Sequence, residues 1–442
     1  MITLAAVLLT TILACCTVQR PWIPLALALT LVVLVPEAAS TTVGGGINPG
    51  NASLAAVAVV QVAARGRCYL DDLLASFPLT AALLVWLACT IATAAAADGS
   101  AHLGFIVNGL VVPVSTFFLV RHAVDDDPLA GRRLCLWLVA LVALECVIAL
   151  AAWTGTVQQP WADELASRYG WWHQDFGRAL GTLDSPLDLG TVVVIGTSLL
   201  AAVRRTWLSV TLAALFVTTT VAAQSRTALL VCLLALLAIA IERRVPVVTL
   251  VGLALGLGAG CAAVAALLPG VADGLLSKFR DDGGSGQSRL LGLTEGVPAA
   301  FDHPVLGGGS GAAADVARSL GLWTSFENPF LILTLEWGLL GTLCQFGAMT
   351  AVLLMRGDGV PLVPGGRLAG TAALVTILSY SSIAFPSGSA ILLWVALGLA
   401  APASAVRADR GSRSQHPGAG PAPQALSRRP AVTTHPARTV TT

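Results

Sequence analysis

The chain has 442 residues, of which 11% are charged and 56% hydrophobic, and its net charge is +1. Soluble domains usually carry about 25% charged residues, so an ordinary cytoplasmic enzyme is excluded. A nucleic-acid binder is excluded too, because so balanced a chain offers no basic field to a polyanion.

The apolar runs are continuous rather than alternating, which also excludes a membrane β-barrel. Roughly 20 residues make one membrane-spanning helix, so the hydrophobic share allows about a dozen spans. The sequence therefore predicts an all-α polytopic membrane protein. Apolar runs between charged or Pro/Gly breaks place spans at about 1–18, 23–43, 50–64, 77–97, 101–121, 134–152, 187–203, 206–223, 227–241, 245–268, 328–355, 367–385 and 388–406. That is about 12–13 transmembrane helices, with the first run and the last two open to reading as partial spans. The first run lacks a basic leader and a clear cleavage site, so it reads as a retained helix. Residues 1–403 form the transmembrane helical domain. Residues 404–442, rich in Pro, Ala and Arg, read as a disordered basic tail.

Short loops carrying Arg20, Arg65/Arg67, Arg121/Arg132/Arg133, Arg204/Arg205, Arg243/Arg244 and Arg356/Arg367 fall on one side when the helices alternate. The positive-inside rule makes that side, and the C-terminus, cytoplasmic. Two longer connections, 153–186 and 269–327, fall on the opposite, outer side, and long loops on a helical scaffold are where function concentrates. Most of the nine cysteines sit in apolar runs and no C-x-x-C pair occurs, so no metal site and no cofactor are implied.

The outer loops hold the candidate chemistry. In 153–186 an aromatic cluster, Trp153, Trp161, Tyr169, Trp171 and Trp172, suits an interfacial belt or sugar stacking. It is followed by Arg178, Gly181, Thr182 and Ser185-Pro186, an entry that could hold an anion beside lipid headgroups. Gln224-Ser225-Arg226 is nearly the whole connection between two spans. It puts an arginine on the outer face against the usual bias, which marks a functional candidate or a snorkelling side chain. The 269–327 loop carries Lys278, the only lysine, then Arg280, Ser288 and Arg289. An amphipathic stretch from Arg289 to Phe301 follows, and then the run Gly307-Gly308-Gly309-Ser310-Gly311. No G-K-[ST] follows that run, so it is not a Walker loop. Both a backbone cradle for phosphate and a flexible turn remain open. Glu327-Asn328-Pro329 reads as a helix start, with Asn as cap and Pro in the first turn. Glu336 lies two turns further in, where a buried carboxylate needs a partner such as an outer-face arginine.

Asn328, nine residues, Gly338, two residues and Gly341 resemble the His-Asn-x9-Gly-x2-Gly signature of the O-antigen ligase and Wzy-type polymerase superfamily. Ser288-Arg289 with Pro304 and the glycine run, Gln224-Ser225-Arg226, and Arg178-x-x-Gly181-Thr182 with Pro186 are similar to other elements of that family. The resemblance covers about 178–345. It implies a GT-C-like helical scaffold that transfers or polymerises a polyprenyl-diphosphate-linked glycan onto a glycan or glycolipid acceptor, at the outer face of the cytoplasmic membrane.

No metal-holding Asp-x-Asp is expected anywhere in the chain, so transfer is expected to be metal-independent. Arg178, Arg226 and Arg289 would hold the departing diphosphate, with Ser288, Arg280 and Asn328 contributing to binding. The sequence departs from the signature at one place, where Glu327 stands in the histidine position. A carboxylate there is a competent base for the acceptor hydroxyl. A transporter or a non-catalytic scaffold for the same glycolipids is the competing reading. The concentration of polar residues in outer loops rather than at the membrane midplane favours the enzyme.

Overall fold

The computed structural model describes residues 2–44, 47–96, 104–169, 172, 177–246, 289–322, 326–355, 363–380 and 384–402. The expected span 245–268 beyond residue 246, the tail 404–442, Arg280 and Ser288 lie outside the described residues. Residues Met1–Ala403 form one compact unit. Every regular element among the described residues is helical, as the continuous apolar runs require.

The helices in chain order are α1 (Ile2–Cys16), α2 (Trp22–Leu34), α3 (Pro49–Ala75), α4 (Phe77–Ala96), α5 (Val112–Asp126), α6 (Pro128–Trp153), α7 (Ala162–Arg168), α8 (Pro186–Leu199), α9 (Thr206–Ala222), α10 (Arg226–Glu242), α11 (Ala312–Ser319), α12 (Pro329–Leu354), α13 (Gly366–Ile377) and α14 (Gly388–Ala400). Among the described residues four stretches are long and apolar enough to cross a membrane: Phe77–Ala96, Ile106–Asp126, Leu129–Trp153 and Pro329–Leu354. Of the shorter apolar helices, α2, α8, α9, α13 and α14 pack with them, and α1 packs on α2 and α3. This is the all-α polytopic membrane architecture expected from composition.

Local chemistry explains many of the helix starts. Asn48-Pro49, Asp127-Pro128, Ser185-Pro186 and Asn328-Pro329 each place a capping side chain before a proline whose missing N–H costs nothing in a first turn. Ser225 and Ser387 cap α10 and α14 in the same way, without the proline.

Some boundaries differ from the expected spans. The run 23–43 breaks at Pro36, where the chain turns into a short helix at Glu37–Ala39. The run 50–64 continues to Ala75 through a kink at Arg65, whose φ/ψ of −137°/26° leaves the helical region.

The centre of the unit is α8 with α14: every residue of α14 from Ser389 to Ala400 is buried, and nearly all of α8 is. Glycines let neighbours approach closely, Gly196 against Val142 and Gly398 against Val120.

The connections sort into two ends. At one end Arg65 pairs with Asp126, and His122 lies 3.2 Å from Asp72. Arg243 donates to the carbonyls of Leu200, Ala201 and Val203, and Arg367 donates to Met355. Arginines there satisfy the orphan carbonyls and negative dipole of helix C-termini. The other end gathers the described residues around 37, 154–169, 177–185, 223–225, 289–322 and 326–328.

Candidate functional site

Residues 177–185 do not stand out as a free loop. They turn back into the bundle. Ala179 N–H donates to Ala222 O at 3.0 Å, and Thr182 N–H donates to Glu145 Oε1 of α6 at 2.6 Å. Gly181 makes this course feasible. Its φ is +69°, and a Cβ there would overlap the Glu145 carboxylate. Asp184 then accepts the N–H groups of Glu37 and Ala38 at 2.8 and 2.9 Å and the Tyr169 hydroxyl at 3.0 Å. Burial pushes Asp184 up to about 6, helped by Asp188, and pushes Glu37 up to about 7.

This course sets Arg178 against the turn between α9 and α10, where its Nε donates to Ala223 O at 3.0 Å. The turn is held in place because Gln224, at φ +51°, donates from its amide to Gly177 O. Arg226, exposed at the first position of α10, follows Ala223 by three residues. Burial draws the Arg178 guanidinium down to about 10, and the negative charge of Glu327 acts on it in the opposite sense.

Glu327 also receives Arg289, whose Nη2 donates to Oε2 at 2.9 Å. Arg289 begins the helical stretch that continues through a π-turn at Gly292–Gly296 to Ala300, as its amphipathic pattern suggested. Gly292 and Gly296 rest on Phe326 and Leu331, which brings that stretch against the start of α12. Glu327 therefore pairs with Arg289, and its charge also acts on Arg178, which lies 111 residues before Arg289 in the chain (289 − 178).

The glycine run is structural. Inside α12 the chain breaks at Gly338, with φ +83° and ψ 161°, and frees carbonyls that a continuous helix would occupy. Gly308 N–H donates to Leu335 O at 2.7 Å, and Gly309 N–H donates to Glu336 O at 2.9 Å. In return Leu339 N–H donates to Pro304 O at 2.8 Å. The Glu336 side chain, 3% exposed, accepts from Gly311 N–H at 3.1 Å. Its partner is therefore this backbone rather than the arginine expected from sequence. The run replaces the missing turn of α12, which settles it as neither a phosphate cradle nor a loose turn.

Residues 210–346 match the family model described as O-antigen ligase. The stretch takes in most of α9, all of α10, and the 289–328 connection as far as Phe346 of α12. Comparison with curated proteins and with solved structures returned no match. The match supports the O-antigen ligase and Wzy-type superfamily, hence a membrane glycan ligase or polymerase acting on lipid-linked glycans.

Within this matched stretch the three spaced signature positions have separate physical tasks. Asn328 is exposed, and its Oδ1 caps α12 by accepting from Phe330 N–H and Leu331 N–H at 3.0 and 3.2 Å. Gly338 lies at the break, where a Cβ would overlap the Val305 carbonyl. Gly341 lets α4 approach, with Cys89 Cβ 3.2 Å from where its own Cβ would be.

The structure thus brings Arg178, Arg289 and Glu327 together, with Arg226 beside the turn that anchors Arg178, while Ser288 and Arg280 are outside the described residues. The aromatics mostly serve the loop's own packing. Trp153 Nε1 donates to Gly177 O and Trp161 Nε1 to Leu34 O, and Trp172 packs with Ala38, Leu165 and Leu180. Contrary to the expectation, the chain does contain one Asp-x-Asp spacing, Asp125-Asp126-Asp127, but it lies at the opposite end, where Asp126 pairs with Arg65.

Sequence reasoning missed Glu145. A single acid inside the run Leu144-Glu145-Cys146-Val147 was the available signal, since an ionisable group within a span is a candidate by default. Among the described residues no group of three or more His, Cys, Asp or Glu is placed to hold a metal ion.

Proposed function

We propose that this protein is a membrane glycosyltransferase. It transfers or polymerises a polyprenyl-diphosphate-linked glycan at the outer face of the cytoplasmic membrane, with arginines in place of a metal. The observation that supports this reading is the pairing of Arg289 with Glu327 at the start of α12, where the charge of Glu327 also acts on Arg178. The acceptor hydroxyl attacks the anomeric carbon while the bond from that carbon to the diphosphate oxygen breaks. The diphosphate leaves with the electron pair, and the hydroxyl proton passes to Glu327.

Guanidinium forks suit the departing charge, because they bind two oxygens at once and stay protonated. The resting pair of Arg289 and Glu327 is partly solvent-exposed, 49% and 29%, and such a pair is worth about 1 kcal/mol or less. An arriving diphosphate, with more charge than one carboxylate, takes over Arg289 and Arg178 and releases Glu327 as base. Arg226 and, by their place in the family-like stretch, Ser288 and Arg280 extend the anion site. Asn328 contributes by orienting α12. The exposed Leu290, Leu293 and Phe301 of the neighbouring stretch suit contact with the apolar boundary of a bilayer.

The test uses the purified chain in nanodiscs with lipid extract from its host, following polyprenyl-diphosphate release and glycan extension with and without EDTA. Arg289→Ala and Glu327→Gln are each expected to lower turnover by about a hundredfold or more, on the scale of lost charge stabilisation or lost base. Wild-type turnover in both variants would refute the arrangement. Glycolipid binding without any product in the wild-type protein would assign the chain to the scaffold or transport class instead.

A further inference from the structure

Glu145 lies inside α6, fully buried, and the reaction just described leaves it unused. Its Oε1 accepts Thr182 N–H at 2.6 Å, and its Oε2 lies 2.7 Å from Thr182 Oγ1. The same hydroxyl oxygen lies 2.8 Å from Val33 O of α2. A hydroxyl has one proton, and a carbonyl can only accept. Both contacts are hydrogen bonds together only when Glu145 Oε2 carries a proton and donates it to Thr182, which donates in turn to Val33. Glu145 in this state is a neutral acid that ties α6, the returning 177–185 stretch and α2 at one point. A neutral, fully hydrogen-bonded form also avoids burying a charge within an apolar bundle.

Arg178 lies four residues before Thr182, and the intervening Ala179 and Leu180 are buried. The charge of Glu327 acts on Arg178. Glu145 reaches it through the backbone alone. We propose that Glu145, as a protonated clamp on Thr182, is the positioning residue that holds Arg178 opposite Glu327. The inference rests on the reading of Arg178 as a ligand for the donor diphosphate.

The experiment measures kcat and KM for release of polyprenyl diphosphate from host lipid extract, using the full chain in nanodiscs. Glu145→Gln can replace every bond, its amide oxygen accepting from Thr182 N–H and its amide nitrogen donating to Oγ1. It is expected to stay within about twofold of wild type. Glu145→Ala is expected to lose up to about a hundredfold in kcat/KM, the scale of a misplaced binding group. In the Arg178→Ala background it should cost nothing further, because both changes remove one interaction.

Thr182→Ser keeps the hydroxyl and should be active, whereas Thr182→Val should resemble Glu145→Ala. This second pair carries the test if Glu145→Ala does not fold. Loss in Glu145→Gln equal to that in Glu145→Ala would overturn the protonated clamp. So would additive losses with Arg178→Ala. Full activity of Glu145→Ala beside an inactive Arg178→Ala would overturn the positioning role while leaving the site intact. Full activity of Arg178→Ala would instead overturn the site, and the clamp with it.

Discussion

Replacing Gly338 by alanine tests whether the break in α12 and the glycine run form one unit. At φ +83° and ψ 161° the backbone occupies a region that is essentially glycine-only, and an L side chain there costs about 1–3 kcal/mol. The new Cβ would also fall on the Val305 carbonyl, so the 304–309 backbone must move. Three hydrogen bonds cross this contact: Gly308 to Leu335, Gly309 to Glu336, and Leu339 to Pro304. Each is worth about 1 kcal/mol net, so their loss brings the total to about 4–6 kcal/mol.

That is a large part of a typical folding free energy of about 5–15 kcal/mol. The assay is thermal unfolding in detergent followed by tryptophan fluorescence, together with limited proteolysis of the 289–328 connection. Gly347→Ala is the control, since it lies in the same helix with open space around its Cβ. Alanine there should be neutral or stabilising by about 0.5–1 kcal/mol. A Gly338→Ala protein that melts and resists protease like wild type would refute the argument.

The remaining expectations are smaller. Asn328→Ala should lower stability by about 1 kcal/mol, through loss of the α12 cap, and Asn328→Asp should restore it. An unchanged melting temperature with weakened donor binding would show instead that Asn328 acts on substrate. Asp184 and Glu37 are raised to about 6 and about 7, chiefly by burial, from ordinary values of 3.8 and 4.5. A carboxyl raised on folding stabilises fully below its unfolded value, and that contribution is lost as pH rises through the folded value. Stability should therefore fall between about pH 4 and pH 7, by on the order of 3 kcal/mol for Asp184 alone. Asp184→Asn should flatten the profile, and melting temperatures that rise over this window would contradict it. Gly181→Ala, which would push a Cβ into the Glu145 carboxylate at a φ of +69°, should lower both melting temperature and transfer. Transfer unchanged from wild type would show that the course of 177–185 does not set the site.

Much of this protein is determined locally and can be read from the chain. Continuous apolar runs force backbone groups to pair within each segment, so an all-helical membrane bundle follows from composition. Caps such as Ser185-Pro186 and Asn328-Pro329 announce helix starts within two residues, and the Asn328, Gly338 and Gly341 spacing is visible by eye. The same sequence left the glycine run undecided between two readings, because its partners are carbonyls of a helix that begins some 20 residues later. It also suggested an arginine partner for Glu336, where the fold supplies Gly311 N–H.

The tertiary structure alone decided which charges meet. Arg178 and Glu327 are 149 positions apart in the chain (327 − 178), and Glu145 and Thr182 are 37 apart. The periodicity of a run says which residues face inward, and a cap says where a helix begins. Neither says which helix will stand beside it. That choice depends on how all the side chains interlock at once, and the position of every outer arginine depends on it.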